Sequence, residues 1–260
     1  MTAFDPLAAA TALRDLRQSR QRMHTLPVAI APGSEIEGAA AQRALARLMG
    51  ADSPAGFKIG ATGKRMQDYL GLSGPAAGFM TSGGVHHSGA ALRFADFLNP
   101  GVECEVAVRL VHDLPPGPCT PAEAQAAVGD LMAGIEIVEN RYHDLTALGT
   151  PTMIADQVFH AAAVLGAPAT NWRGLDIPTL VGRMSIDGEP REQGVAADLL
   201  GHPMNCLAWL AASPVAAVFG GLKSGQVIML GSVTPPIWVT GPAKVTVAFA
   251  PLPAVSVTLG

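Results

Sequence analysis

The chain has 260 residues, of which 49% are hydrophobic and 15% are charged, and its mean hydropathy is +0.30. This composition excludes an intrinsically disordered protein, which needs low hydrophobicity and high charge, and the length is sufficient for a sizeable core without disulfide bridges. Lysine and arginine number 17 against 21 aspartates and glutamates, a net charge of −4, so the basic excess typical of nucleic-acid-binding proteins is missing.

The cysteines and the apolar segments indicate the compartment. Cys104, Cys119 and Cys206 are widely spaced and form no CxxC pair, so neither a disulfide framework nor a zinc ribbon is predicted. The N-terminal sequence lacks the cationic and then apolar pattern of a secretory signal. The longest apolar stretch, around 206–212, is interrupted by Ser213 and Pro214 before it reaches the roughly 20 residues of a membrane span. We therefore expect a soluble, cytoplasmic protein with no membrane partner.

Two helices are predicted at the start of the chain. Asp5 is a side-chain acceptor placed before Pro6, which is a typical helix start, and leucines and alanines then recur at helical spacing until an arginine-rich segment near residue 20. A second helix is predicted over 34–49, with Gly50 as its C-cap.

The rest of the chain alternates between strands and helices. Further elements are predicted as a strand over 56–62, loop or short strands over 75–89, a strand over 103–110, a helix opening at Thr120, a strand over 132–138, helices over 155–165 and 197–211, and strands over 227–230, 237–239, 245–249 and 255–259. This order favours an α+β fold with a mixed or antiparallel sheet over a regular βαβ repeat. Gly60-Ala-Thr-Gly63 matches neither phosphate-binding glycine motif.

Three glutamates stand out within apolar strands. On a strand, Glu103 and Glu105 project to the face opposite Val102 and Cys104, about 7 Å apart along the strand. Glu136 lies between two isoleucines and projects away from them. Two like charges about 4 Å apart repel by about 4 kcal/mol at an effective dielectric of about 20, so a buried cluster of this kind needs a proton, a basic partner or a cation.

Two interpretations of these glutamates stay open on spacing alone. In one, Glu103 and Glu105 line the solvated face of a half-exposed strand. In the other, the three carboxylates, with no histidine or cysteine nearby in sequence, bind a hard cation such as Mg²⁺ or Mn²⁺ in preference to zinc.

At this point the sequence resembles the 2-keto-4-pentenoate hydratase group of the fumarylacetoacetate hydrolase superfamily, from about residue 40 to the C-terminus. Each matching segment is weak alone, but the segments share their order and the 33-residue separation of Glu103 from Glu136. They are Phe57–Thr62 (similar to K-[IA]-G-x-T), Val102–Glu105 (V-E-x-E), Ile135–Arg141 (E-[IV]-V-D-S-R), Ala155–Gln157 (A-D-N), and Asn205–Leu210 followed by Leu222–Gly225 and Leu230–Thr234.

The resemblance implies a mixed β-sandwich or β-roll with an N-terminal helical part. We expect the helical part to span 1–75 and to pack on a catalytic core of 76–260, unless the two count as one domain. The resemblance further implies a metal-dependent hydratase in the degradation of aromatic compounds. Such an enzyme adds water to a short 2-hydroxydienoate, the tautomer of a 2-oxo acid. A homo-oligomer is usual in such a family.

The resemblance also implies roles for single residues. Glu103, Glu105 and Glu136 are expected to bind Mg²⁺ or Mn²⁺. Lys58 and Asp156 are expected to be catalytic, with Lys58 binding the substrate carboxylate or shuttling a proton. Two hydroxyls, those of Ser232 and Thr234, are expected to donate hydrogen bonds to the substrate. For Asp156 a second interpretation is that it orients a water or caps a helix.

One departure from the family pattern bears on the reaction. The hydratases place an acidic residue in the loop after the lysine motif, but here the corresponding position falls near Ser82 or Gly83, and His86 and His87 are candidate replacement bases. Two other outcomes therefore stay open beside hydration. One is decarboxylation or C–C hydrolysis of a related 2-oxo acid at the same metal, and the other is a non-catalytic binding subunit.

Overall fold

The computed structural model describes residues 4–169 and 171–260. Its helices are α1 (Pro6–Ser19), α2 (Glu35–Leu48), α3 (Lys64–Leu70), α4 (Pro121–Ala126), α5 (Gly149–Ala155), α6 (Pro203–Ala212) and α7 (Pro214–Val218). Its strands are β1 (Gly56–Gly60), β2 (Ala76–Met80), β3 (Val85–His87), β4 (Ala90–Leu92), β5 (Pro100–Leu110), β6 (Val128–Glu139), β7 (His160–Leu165), β8 (Val181–Ile186), β9 (Glu189–Val195), β10 (Val227–Ser232), β11 (Ile237–Trp238), β12 (Ala243–Phe249) and β13 (Val255–Leu259).

The two N-terminal helices begin where the sequence predicts. The Asp5 carboxylate accepts a hydrogen bond of 2.9 Å from the Leu7 amide, and the Ser34 hydroxyl accepts one from Glu37, so each cap satisfies an amide that the helix leaves free. Gly50 follows α2 with a φ of +69°, which terminates the helix. The two helices pack against each other, and α2 also packs on α5 and α7.

Eight strands form a large mixed sheet in the order β2-β1-β10-β5-β6-β7-β3, with β11 paired to β5. The β1–β10 and β3–β7 pairs are parallel, and the other pairs are antiparallel. The two long central strands, β5 and β6, run antiparallel along nearly their whole length. They place the segments that contain the three glutamates side by side.

A second sheet of five strands has the order β4-β13-β12-β8-β9. Its β8–β9 hairpin turns at Asp187 and Gly188, both with positive φ, as the tight turns of two-residue hairpins require. The main core lies between this sheet and the large sheet: Cys104 and Val106 of β5 belong to the same buried cluster as Val245 and Val257. The opposite face of the large sheet therefore carries the glutamates.

The α+β fold with mixed sheets is confirmed, but the helix predicted over 155–165 is wrong. These residues form the end of α5, a short 3₁₀ turn and β7. The alanine-rich segment of β7 is buried between β6 and β3, and this tertiary pairing overrides its helical propensity. The helix predicted over 197–211 begins later, at Pro203, because Gly201 and Pro203 interrupt its start.

The division into 1–75 and 76–260 stays a prediction. β1 and β2 lie on either side of that boundary and are hydrogen-bonded neighbours in one sheet. Within the described ranges, every helix is too short or too polar to cross a lipid bilayer.

Candidate metal centre and cleft

The structure brings the three glutamates together. Glu103 on β5 lies directly opposite Glu136 on β6, and Glu105 is two residues further along β5, on the same face of the sheet. One carboxylate oxygen from each lies within 4.8 Å of the others. Glu105 and Glu136 are fully buried, and Glu103 lines a cleft. The solvated-face interpretation is therefore excluded for Glu105.

Burial and neighbouring charges shift the pKa values of all three carboxyls in the cluster. Burial, reinforced by the charge of Glu136, raises the pKa of Glu103 to about 8. Burial and the two neighbouring carboxylates raise the pKa of Glu105 well above its usual range. Burial also opposes ionisation of Glu136, but Lys58 and His160 outweigh it and lower the pKa of that carboxyl.

Lys58 lies against this cluster, and its side chain is buried beneath the cleft. It is on β1 and 1% exposed, and its Nζ is 3.2 Å from Oε1 of Glu136. Removing one partner from a buried ion pair is strongly destabilising, so Lys58 and Glu136 hold each other in place.

His160 is the neighbour of the cluster that the sequence did not indicate. Its Nδ1 lies 2.9 Å from Oε1 of Glu136, the oxygen that also faces Lys58. Burial lowers the pKa of His160, which favours the neutral ring, so Nδ1–H donates to the carboxylate and Nε2 is left as an acceptor. His160 opens β7 after a turn, and no motif or spacing in the sequence reports that the turn aims it at Glu136.

Asp156, expected to be catalytic, lies in a different environment. Arg17 donates to its Oδ1 at 2.7 and 3.0 Å, while Arg141 and the Tyr142 hydroxyl donate to Oδ2 at 3.0–3.3 Å. These partners lower its pKa although burial raises it. Asp156 is not among the described residues that line the cleft, so its catalytic role stays a prediction and its contacts are those of an anchor.

The three residues after Asp156 have an unusual backbone. Gln157, Val158 and Phe159 have φ values of +56°, +49° and +66°, a region that non-glycine residues rarely adopt and a β-branched valine least of all. The Gln157 side chain donates to the Phe79 carbonyl at 2.8 Å. Val158 and Phe159 line the cleft, so this left-handed turn forms part of its wall.

Ser232 and Thr234 also line the cleft. The Ser232 hydroxyl is 2.7 Å from the Thr234 carbonyl and accepts a hydrogen bond of 3.2 Å from the Cys104 amide of β5, so it already has partners within the protein. Just before it, the Gly231 amide donates to Oε2 of Glu105 at 2.9 Å. Gly231 has a φ of +113°, and this backbone conformation aims its N–H at the carboxylate.

The cleft has a volume of about 860 Å³, which is within the range of small-molecule sites. Its floor contains Lys58 and Glu103, and β9 contributes to its rim with Glu192 and Gln193. The larger apolar residues of the wall include Met66, Leu70, Val138, Leu145, Val158, Phe159, Val233 and Trp238. The cleft therefore has charged groups at its floor and mainly apolar side chains along its wall.

The loop after β2 contains no carboxylate. Thr81 caps a short turn by accepting from the Gly84 amide, and Ser82 and Gly83 are exposed. His86 and His87 belong to β3 at the edge of the large sheet, and neither is among the described cleft residues.

The residues present fit a hard divalent cation. Oε1 of Glu105 and Oε2 of Glu136 are buried and have no hydrogen-bond partner within residues 4–169 and 171–260, and buried polar atoms normally have one. Lys58 compensates one of three carboxylates. Three converging oxygens with unused lone pairs are the donors that Mg²⁺ and Mn²⁺ prefer.

Comparison with known proteins places the chain in a family. Residues 70–258 match the profile of the fumarylacetoacetate (FAA) hydrolase C-terminal family. The chain is 34% identical over 182 residues to a 2-hydroxyhexa-2,4-dienoate hydratase of Comamonas testosteroni, covering 69% of this chain and 68% of that protein. It is 32% identical over 180 residues to a 2-keto-4-pentenoate hydratase of Burkholderia vietnamiensis strain G4, with 69% and 68% covered.

A solved structure shares the fold over nearly the whole chain. The 4-oxalocrotonate decarboxylase of Pseudomonas putida G7, complexed with magnesium and adipate, superposes with a TM-score of 0.88 at 23% identity and covers 98% of this chain and 97% of its own. The fold and the sequence matches agree, and the chain belongs to the fumarylacetoacetate hydrolase family, within the group that contains the 2-keto-4-pentenoate hydratases.

Proposed function

We propose that the protein is a metal-dependent hydro-lyase that adds water to a short 2-hydroxydienoate, the tautomer of a 2-oxo acid, in the degradation of aromatic compounds. The observation that carries the proposal is the convergence of Glu103, Glu105 and Glu136 beside Lys58 at the floor of an apolar cleft. The hydratase relatives support the reaction type, and the magnesium complex of the P. putida protein supports a divalent cation.

Glu103, Glu105 and Glu136 would hold Mg²⁺ or Mn²⁺. Bound there, the cation supplies Lewis acidity, which polarises the 2-oxo group of the substrate and stabilises negative charge on its oxygen. The three carboxylates would hold this cation at the bottom of the cleft, beside Lys58. The apolar side chains of the cleft wall would contact the carbon chain of the substrate.

Lys58 is the group that we assign to proton transfer. Its Nζ lies 3.2 Å from Oε1 of Glu136, and burial fixes its position. From the floor of the cleft it can bind the substrate carboxylate or move a proton to the substrate carbon chain. Thr234 is the better placed of the two hydroxyls to bind substrate, because the Ser232 hydroxyl already bonds to the Cys104 amide and the Thr234 carbonyl.

Decarboxylation of a related 2-oxo acid is the second candidate function. The observation that favours it is the loop at 81–84, which carries no carboxylate to orient a water molecule. Loss of CO₂ needs a stabilised carbanion and a returned proton but no attacking water. The decarboxylase of P. putida G7 has the same fold.

A homo-oligomer in the cytoplasm completes the proposal. Exposed apolar side chains on the helical part, Leu7, Val28 and Ile36, support association. Light scattering of the purified protein tests it, and a mass of one chain at all concentrations would contradict it.

Glu136→Gln tests the metal assignment. The variant keeps the shape of the side chain but removes its charge, so we expect the affinity for Mg²⁺ or Mn²⁺ to fall by at least about a hundredfold, since even changes to the partners of metal ligands cost about 10–100-fold. Calorimetric titration with metal alone measures this. Glu189→Gln, at the exposed start of β9, removes a charge outside the cluster and should leave the affinity unchanged.

Activity is tested with the unchanged protein. Purified protein should cause a Mg²⁺- or Mn²⁺-dependent loss of the dienoate absorbance and release a hydroxylated 2-oxo acid. Released CO₂ would favour the second candidate, and metal binding without turnover of any 2-oxo acid would favour a binding subunit.

A further inference from the structure

Arg17 lies in the last turn of α1, and arginine side chains are mostly exposed in proteins. The structure instead directs its guanidinium into the core. Arg17 donates to Oδ1 of Asp156, to the Asp156 carbonyl at 3.0 Å and to the His160 carbonyl at 3.3 Å. One side chain thus binds both ends of the left-handed turn 157–159.

That turn needs to be held. Non-glycine residues at positive φ are unfavourable and persist where the surroundings over-determine them, and here three occur in succession. Arg141 and Tyr142 bind Oδ2 of Asp156, which anchors the first end of the turn. The contact of Arg17 with the His160 carbonyl fixes the distance between the two ends.

The position of the turn determines two features of the site. His160, directly after it, bonds through Nδ1 to Oε1 of Glu136, and the last two residues of the turn, Val158 and Phe159, line the cleft. The other ring nitrogen of His160 is buried without a partner in the described structure, so the Glu136 bond is the contact that orients the imidazole. A shift of the turn would rotate the ring away from the carboxylate.

We propose that Arg17 is a positioning residue for the metal centre: by clamping Asp156 and the His160 carbonyl, it sets the left-handed turn that holds His160 against Glu136. The N-terminal helix is then a working part of the site, although it lies outside the residues that match the family profile. This inference rests on the proposed metal site, and it assigns to α1 a role in metal affinity beyond packing.

The test measures Mn²⁺ affinity by the electron paramagnetic resonance signal of free Mn²⁺ in the full-length protein. Arg17→Met and Arg17→Lys should each weaken Mn²⁺ binding by about tenfold, the lower end of the effect of losing a direct partner of a metal ligand, because Arg17 acts one contact further out, through His160. Neither replacement can bind all three oxygens. Arg14→Met is the matched control, since Arg14 is on the same helix but pairs with Asp15 on the surface.

Loss of stability alone is separated by Leu13→Ala. Leu13 is fully buried on α1, so this variant lowers the melting temperature without touching the clamp, and its Mn²⁺ affinity should stay within about twofold of the unchanged protein. A metal affinity that follows the melting temperature across Leu13→Ala and the Arg17 variants would overturn the proposal.

A metal-free measurement makes the inference independent of the proposed function. In protein labelled with ¹⁵N at histidine, the His160 ring signal, assigned by its loss in His160→Gln, should move in both Arg17 variants and not in Arg14→Met. If the unchanged protein binds no Mn²⁺, the proposed function fails while this signal still decides on the clamp. If the His160 signal does not move in Arg17→Met and Arg17→Lys, the positioning role proposed for Arg17 is refuted.

Discussion

At the scale of residues, one oxygen atom of Glu136 binds two other side chains of the site. Oε1 of Glu136 faces both Lys58 and the His160 ring, while Oε2 of the same carboxylate has no partner among the residues described. One oxygen is thus fixed by the protein and the other is left for a ligand. This division keeps Glu136 ionised in a buried place, where an unpaired carboxylate would instead take up a proton.

Gly231→Ala should destabilise the protein and disturb Glu105. The φ of +113° is unfavourable for alanine, and a Cβ at this position would lie 2.5 Å from Oγ1 of Thr62. Strain of this kind costs about 1–3 kcal/mol, or about 2–4 °C in melting temperature per kcal/mol for a protein of this size. Thermal unfolding measures it.

Gly225→Ala is the control for that substitution. Gly225 has a similar positive φ but open space around its Cα, so it reports the backbone strain without the steric contact. We expect a larger loss for Gly231→Ala than for Gly225→Ala, and weaker metal binding only for the former. Equal losses would show that the contact with Thr62 relaxes at no cost.

The residues on the glutamate face could be predicted because strand alternation is a local property. The pattern around Glu103 and Glu105 fixes the face of the sheet, whereas His160 and Arg17 act through contacts between residues far apart in sequence. No local period reports that an arginine at a helix end turns inward. The resemblance supplied the pairing of Glu103 with Glu136, which spacing alone left open.

At the scale of elements, the hairpin β8–β9 shows a signal that sequence analysis missed. Asp187-Gly188 between two extended segments is a strong hairpin signature, and both residues adopt positive φ. The segment 155–165 is the opposite case, because its alanines favour a helix locally and only the pairing of β7 with β6 and β3 makes it a strand. Propensity is a weak guide where a segment is buried on both sides.

Asp156→Asn should weaken the anchor of the turn 157–159. It should also make the free energy of unfolding less dependent on pH in the acidic range. The pKa of Asp156 is lower in the folded protein than its ordinary value of 3.8, so the unfolded chain takes up the proton first. Its contribution to stability is therefore complete above about pH 4 and is lost as the pH falls through the folded pKa. Urea unfolding between pH 3 and pH 7 measures this.

In that experiment the variant should be less stable by about 3–5 kcal/mol at pH 7, the usual cost of removing one partner of a buried ion pair. The difference from the unchanged protein should shrink towards pH 3. Asp15→Asn, an exposed aspartate of α1, serves as the control with little change. A difference that stays constant with pH would mean that Asp156 does not contribute through its charge.

At the scale of the whole molecule, the cluster of carboxylates predicts that metal stabilises the fold. A ligand at a hundred times its dissociation constant adds about 2.7 kcal/mol to the free energy of unfolding, which corresponds to a rise of about 5–11 °C in melting temperature. Mg²⁺ or Mn²⁺ should produce this rise and EDTA should reverse it. Sodium chloride at equal ionic strength is the control, and an equal rise with salt would indicate general screening.

β9 crosses over the Ser232–Thr234 segment beside the cleft. Gly194 lies so close to the Val233 carbonyl that a Cβ there would be 1.8 Å from it, so this contact pins the hairpin, while the neighbouring Glu192 and Gln193 face the mouth of the cleft. β9 is an edge strand held at Gly194. We expect that its neighbouring side chains can be replaced without moving the three glutamates of the cluster. We therefore expect that grafting residues 189–193 from a relative would alter the substrate preference and leave the metal affinity unchanged, which activity assays and metal titration of the grafted protein would measure.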